Sequence, residues 1–269
     1  MTLPAGATAL PATYSPPMRF GASPQAVRVR PGPYWVYLAG MALLLLGGTG
    51  LLLRLYHVLA SLRLPGVVRS PLLAIRRWRR LVWGLHLGCF GLLIAMAAAA
   101  YPLPQVQGIL LELVGREIAG GEGPLGAAGR AYASGNILRA AAVTFAVNFL
   151  LATLLTTTAP SIVIPGIGAL VVLLRAAAVG LILAPTFAGL SRQMLPHSIT
   201  LLVELHAYVL AGFFALLIPI YIFQKRRGPS AGRRYGRATL LNLKACLLIA
   251  AILAVAALYE AIEVIAMMD

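Results

Sequence analysis

The chain has 269 residues, 60% of them hydrophobic and 11% charged, with 22 Lys and Arg against 7 Asp and Glu. A soluble domain carries about 25% charged residues, so lipid must cover the apolar surface that this chain cannot bury within itself. A net charge of +15 would point to nucleic acid in a soluble protein. Here the arginines cluster between apolar runs, where anionic headgroups and membrane topology account for them, and nucleic acid is excluded as a partner.

Residues 1–33 are rich in Pro, Ala and Gly, with Arg19, Arg28 and Arg30 as the only charges. They carry no basic n-region followed by an apolar h-region, so an extended or disordered segment without a cleavable signal is expected. Tyr34–Leu53 is the first apolar run. Arg54–Arg80 follows, with seven arginines, and its end, Ser70–Arg80, reads as the start of an interfacial helix with a collar of Arg76, Arg77, Trp78, Arg79 and Arg80. Leu81–Tyr101 is the second run, and Gly84, Gly88 and Gly91 give it a small-residue face suited to close helix packing.

Gln105–Leu138 is too polar to span. Val106, Ile109, Leu110, Leu113 and Val114 share a helical face, so Gln105–Ile118 is expected to lie flat on the membrane. The glycines from Gly120 to Gly129 then predict a flexible return. Ala140–Ala159, containing Asn148, is the third run, and Ile167–Phe187, with Arg175 near its middle, is the fourth. The fifth, Ile199–Phe223, is introduced by Pro196 and Ser198, residue types that favour a helix start. A second basic stretch holds Lys225, Arg226, Arg227, Arg233, Arg234 and Arg237 before the sixth run, Thr239–Met267.

These runs predict an all-α protein, a polytopic membrane bundle of about six transmembrane helices. Residues 34–80 would form the first span and an Arg-rich cytoplasmic loop, and 81–269 a five-helix core. Four crossings separate the two basic stretches, so both can face the cytoplasm together, with the acidic residues towards the outside. Arg76, Arg77, Arg79, Arg80, Arg226, Arg227, Arg233 and Arg234, together with Trp78, are expected to meet anionic lipid or a partner protein. Tyr34, Trp35, Tyr101 and Tyr221 stand at span ends, as aromatic-belt residues do. Cys89 and Cys246 lie within apolar runs and read as small buried hydrophobes.

Ionisable residues inside a span are expensive, so each needs a reason. The intramembrane polar candidates are Asn148, Arg175, His197, Glu204, His206, Glu260 and Glu263. His197 and Glu204 are seven apart and share a helix face. Arg175 should turn into the bundle and engage an acidic side chain or exposed carbonyls, with Glu204 first and Glu260 and Glu263 as further acidic candidates. Asn148 and Asn242 suit interhelical hydrogen bonding. Glu204-Leu205-His206 lacks the spacing of a zinc-protease pair, and no nucleophile elbow or phosphate-binding loop occurs. No catalytic residue, cofactor or metal ligand set is expected, and the chain reads as a non-enzyme.

Phe145-x-x-Asn148, then Pro196-His197-Ser198, Glu204 and Ala207-Tyr208-Val209-Leu210-Ala211-Gly212, resembles the stage II sporulation protein M family. Ser198 stands where that family carries glycine, and Glu204 follows His197 by seven residues where the family's glutamate follows by four. The likeness runs from about Leu81 to the C-terminus. It implies a multi-pass protein of the bacterial cytoplasmic membrane that works in a larger assembly with other membrane or peripheral proteins. The expected function is a non-catalytic membrane subunit or scaffold. The alternative is the permease-like subunit of an exporter with a separate ATPase, in which Arg175, Glu204 and His206 line a polar path.

Overall fold

The computed structural model describes residues 29–224 and 230–267, apart from the side chains at 188–193 and 195. Ten α-helices follow one another among the described residues: α1 (Pro31–Ser61), α2 (Gly66–Arg77), α3 (Arg79–Ala100), α4 (Pro104–Gly120), α5 (Gly123–Ala133), α6 (Ile137–Ala146), α7 (Ala159–Val163), α8 (Ile167–Ile182), α9 (Ala188–Phe223) and α10 (Ala231–Ala266). A π-helical stretch, Val147–Thr158, joins α6 to α7, so that Ile137–Val163 runs as one continuous rod. The protein is an all-α bundle and a multi-pass membrane protein. Five helical stretches are long and apolar enough to cross a membrane: Pro31–Ser61, Arg79–Ala100, Ile137–Val163, Pro196–Phe223 and Ala231–Ala266. The fourth expected span, Ile167–Phe187, is met by α8, which is apolar but has 16 residues, about 24 Å at 1.5 Å per residue.

The bundle is built around α9. In its apolar stretch 83% of residues are buried, against 22–39% in the other four long helices. A helix that is apolar all round belongs at the centre, and Leu205, Leu210, Phe213, Phe214, Leu217 and Ile218 fill that core. Helix α10 makes the largest contact with it, and α8 and α3 flank it. Pro196 does not open this helix, contrary to expectation: α9 begins at Ala188 and carries Pro196 inside it. The turn before the proline is reinforced by hydroxyls, because the Met194 carbonyl accepts that of Tyr37 from α1 (3.0 Å) and that of Ser198 from α9 itself (2.5 Å). Neighbouring hydroxyls are what let a spanning helix tolerate proline.

Other expectations are corrected by packing. The glycines of 120–129 do not form a flexible return, because Gly123–Ala133 is helix α5, with Pro at its start and Gly126 against the backbone of Gly121. Close tertiary packing outweighs the low helix propensity of glycine. Most of Arg54–Arg80 is helical instead of a loop, and residues 31–33 belong to α1. Of the small-residue face of α3 only Gly88 meets a neighbouring helix, at ordinary contact distance: a Cβ there would stand 3.8 Å from Leu173 of α8, whereas one at Gly84 or Gly91 would meet nothing. The close crossing of α3 and α8 is made by Gly180, where a Cβ would overlap the Leu93 backbone. Tyr34 is fully buried, its hydroxyl donating to the Ala97 carbonyl, so it is a core residue and no belt residue.

Helix α4 does present Val106, Ile109 and Leu113 outwards, as its amphipathic pattern predicts. Its other face does something the pattern hides. Gln107 is buried; its amide donates to the carbonyls of Ile182 (3.0 Å) and Ala184 (2.7 Å), and the Thr186 hydroxyl donates to its oxygen. These bonds satisfy carbonyls at the C-terminal end of the short α8, where the helix leaves them orphaned.

Candidate functional site

Three groups of polar side chains lie within the helices that the apolar pattern builds. The first surrounds Arg175. Its guanidinium donates to the Ala152 carbonyl (3.2 Å) and the Thr156 hydroxyl (3.0 Å) of the π-helical stretch, and stands 4.4 Å from the centre of the Tyr208 ring. A π-helix bonds i→i+5 and loosens the carbonyl ladder, and here Ala152 also accepts from Thr157, and Asn148 from Thr153. The expected direct pair with Glu204 is not formed. Tyr208 stands between them, its ring against the guanidinium and its hydroxyl donating to Glu204 at 2.8 Å. A tyrosine one turn after the glutamate on α9 reaches the carboxylate before an arginine from α8 does. The Asn148 side chain is half-buried in the π-helical stretch and makes no hydrogen bond among the described residues.

The second group lies between α9, α5 and the far end of α10. His197, inside α9 and not at its mouth, faces Glu263 (Nδ1 to Oε1, 3.5 Å) and senses Glu260 and Glu204. The Thr200 hydroxyl donates to the other Glu263 oxygen at 2.9 Å. Glu260 meets Tyr132 of α5, whose hydroxyl also shares a 2.9 Å hydrogen bond with Thr144. Burial, then the Glu260 charge, raises the Tyr132 hydroxyl far above the ordinary phenol range, so it stays a donor to its neighbours. Among the described residues no three or more His, Cys, Asp or Glu side chains are arranged to hold a metal ion.

The third group contains His206 and two residues that the sequence reading passed over. The Tyr56 hydroxyl lies 2.8 Å from His206 Nε2, and His206 Nδ1 lies 2.7 Å from His86 Nε2. His86 Nδ1 is 2.8 Å from the Val82 carbonyl. All three side chains are buried. A carbonyl only accepts, so His86 Nδ1 carries a proton, and with neutral rings the remaining directions follow. His206 Nδ1–H donates to His86 Nε2, and Tyr56 O–H donates to His206 Nε2. The chain runs one way and ties α1, α9 and α3 together. His206 therefore faces away from Arg175 and Glu204.

The basic residues gather at the other end of α10 from its glutamates. Residues 237 and 260 are 23 apart, about 35 Å along a helix. Arg77 of the first basic stretch and Arg237 of the second line one groove, so both stretches meet at a single end of the bundle. Arg76, Arg79, Arg80 and Arg233 are exposed. Trp78 is half-buried at the junction of α2 and α3, and its inner part packs against the core. Arg234 is half-buried too and donates to the Ile222 carbonyl (3.0 Å) at the end of α9. Arg226 and Arg227 lie outside the described residues. Asn242 is fully buried with neither side-chain atom hydrogen-bonded, so its expected bond across the helices is not made among the described residues. No family model, curated protein or solved structure matches the chain.

Proposed function

We propose that this protein is a non-catalytic integral subunit of a bacterial cytoplasmic-membrane assembly, with its Arg-rich end towards the cytoplasm. One observation carries the reading. His197, Glu204 and His206, the only acidic or imidazole side chains from Pro196 to Phe223, are each engaged by a named neighbour. Side chains used in this way fix helix order and rotation, which suits a rigid scaffold. The basic residues gathered at one end and the amphipathic α2 and α4 supply surfaces for lipid and for other proteins. The resemblance to the stage II sporulation protein M family, in Phe145-x-x-Asn148 and the Pro196-His197 segment, supports the same reading.

The permease-like reading is supported by Arg175, Tyr208 and Glu204 standing in one line inside the bundle. It is weakened by the third member of the expected path, His206, which belongs to the α1–α3 network. Purification of the full chain from its own membranes in mild detergent, after brief crosslinking in cells, separates the readings. Stoichiometric partner polypeptides without a nucleotide-hydrolysing subunit are expected. Co-purification of an ATPase would favour the permease, and a lone chain after crosslinking would overturn the scaffold.

A further inference from the structure

At the basic end, α2, the last turn of α9 and the start of α10 enclose an open groove of about 370 Å³. Arg77, Arg237 and Lys244 stand around it, Ser70 and Tyr221 add hydroxyls, and Leu73, Leu240 and Leu241 form its apolar wall. Among the described residues none of the three cations has an acidic partner; the ion pairs found are Arg116–Glu112 and His197–Glu263. The Ser70 Oγ is buried and has no hydrogen-bond partner. Three cations around one space call for an anion with several acceptor oxygens.

The vertical arrangement narrows the class of anion. Arg237 and Lys244 are seven residues apart, two turns on one face, so Lys244 lies about 10 Å deeper. It sits beside Leu240 and Leu243, which are exposed on the outer face of a helix apolar enough to span. An acidic peptide reaching Lys244 would have to bring unpaired backbone into hydrocarbon. A phospholipid has the opposite layout, with phosphate at headgroup level and acyl chains below it.

We propose that this groove is a specific site for an anionic phospholipid. The phosphate is held by Arg77, Arg237 and Lys244, and the acyl chains follow Leu73, Leu240 and Leu241. Lys244 extends upwards to the phosphate from a level where its charge would otherwise be uncompensated.

The test is native mass spectrometry of the full chain in mild detergent with added phosphatidylglycerol or phosphatidylcholine. The wild type is expected to retain one phosphatidylglycerol and no phosphatidylcholine. Arg77→Gln/Arg237→Gln/Lys244→Gln should bind it more weakly by on the order of a hundredfold, the effect of removing three cations beside a headgroup. Arg63→Gln/Arg76→Gln/Arg233→Gln loses the same net charge from exposed positions outside the groove and should retain the lipid. Equal losses in both variants would reduce the attraction to diffuse charge and overturn the site. So would equal retention of the zwitterionic lipid, or displacement of the lipid by millimolar inorganic phosphate. A photo-crosslinker at Leu240 that captures a polypeptide in cells, and no lipid, would also overturn it. Thermal unfolding without added lipid keeps the comparison valid. Lys244→Gln and Arg237→Gln singly repeat it if the triple variant unfolds.

Discussion

Tyr208 is the residue on which the Arg175 group depends. It offers a ring face to a guanidinium and a hydroxyl to a carboxylate, so one side chain neutralises two expensive neighbours. Tyr208→Phe keeps the ring and removes the hydrogen-bond donor that Glu204 has among the described residues, and a loss of about 1–3 kcal/mol is expected. Thermal or denaturant unfolding in detergent measures it; an unchanged midpoint would show that Glu204 is satisfied elsewhere. The His206 chain makes a sharper demand. His86→Leu and His206→Leu should each destabilise by about 1–3 kcal/mol, and the double variant by less than their sum, because either single change orphans the other ring. Strict additivity would remove the link.

At the scale of the element, closeness decides which glycines matter. Gly180→Ala drives a methyl group into the Leu93 backbone and should separate α3 from α8, at about 1–3 kcal/mol. Gly84→Ala and Gly91→Ala meet open space and should be neutral or slightly stabilising, since alanine is the better helix former. Unfolding midpoints of the three variants decide it. Sequence spacing singles out three glycines of which only Gly88 meets α8, and there is a definite reason. The spacing of Gly84, Gly88 and Gly91 defines a face but not what stands opposite, and helix rotation about its own axis is set by partners far away in the chain. The same limit hid Gln107, a polar residue in an amphipathic helix whose use appears only when the end of α8 is placed beside it. His86 and Tyr56 escaped notice because one lies in an apolar run and the other among arginines, and neither marks its partner locally. Runs of apolar residues, by contrast, report directly on burial in lipid, so the long helices were legible to within a few turns.

For the molecule as a whole, the two basic stretches at one end of the bundle and Glu260 and Glu263 at the other define a polar axis. If the basic end is cytoplasmic, cysteine placed at Ser134 should react with a membrane-impermeant maleimide on intact cells, and cysteine at Ser230 only after lysis. Both serines are exposed, and the native Cys89 and Cys246 are buried, which keeps the background low. Labelling of Ser230→Cys from outside would reverse the orientation.

The shortness of α8 reaches beyond the protein into its surroundings. A rod of about 24 Å in a hydrocarbon layer of about 30 Å leaves a shortfall of about 6 Å. Leu170 and Leu174 are exposed on that rod, so if α8 crosses the bilayer the neighbouring acyl chains tilt or compress to meet it. The penalty is a fraction of a kcal/mol for each ångström of mismatch. A bilayer pinched along one flank exerts line tension around the dent, and two dented flanks relieve it by meeting. Reconstitution in bilayers of shorter acyl chains should therefore raise the unfolding temperature and reduce self-clustering, read by energy transfer between labelled copies. Longer chains should do the reverse.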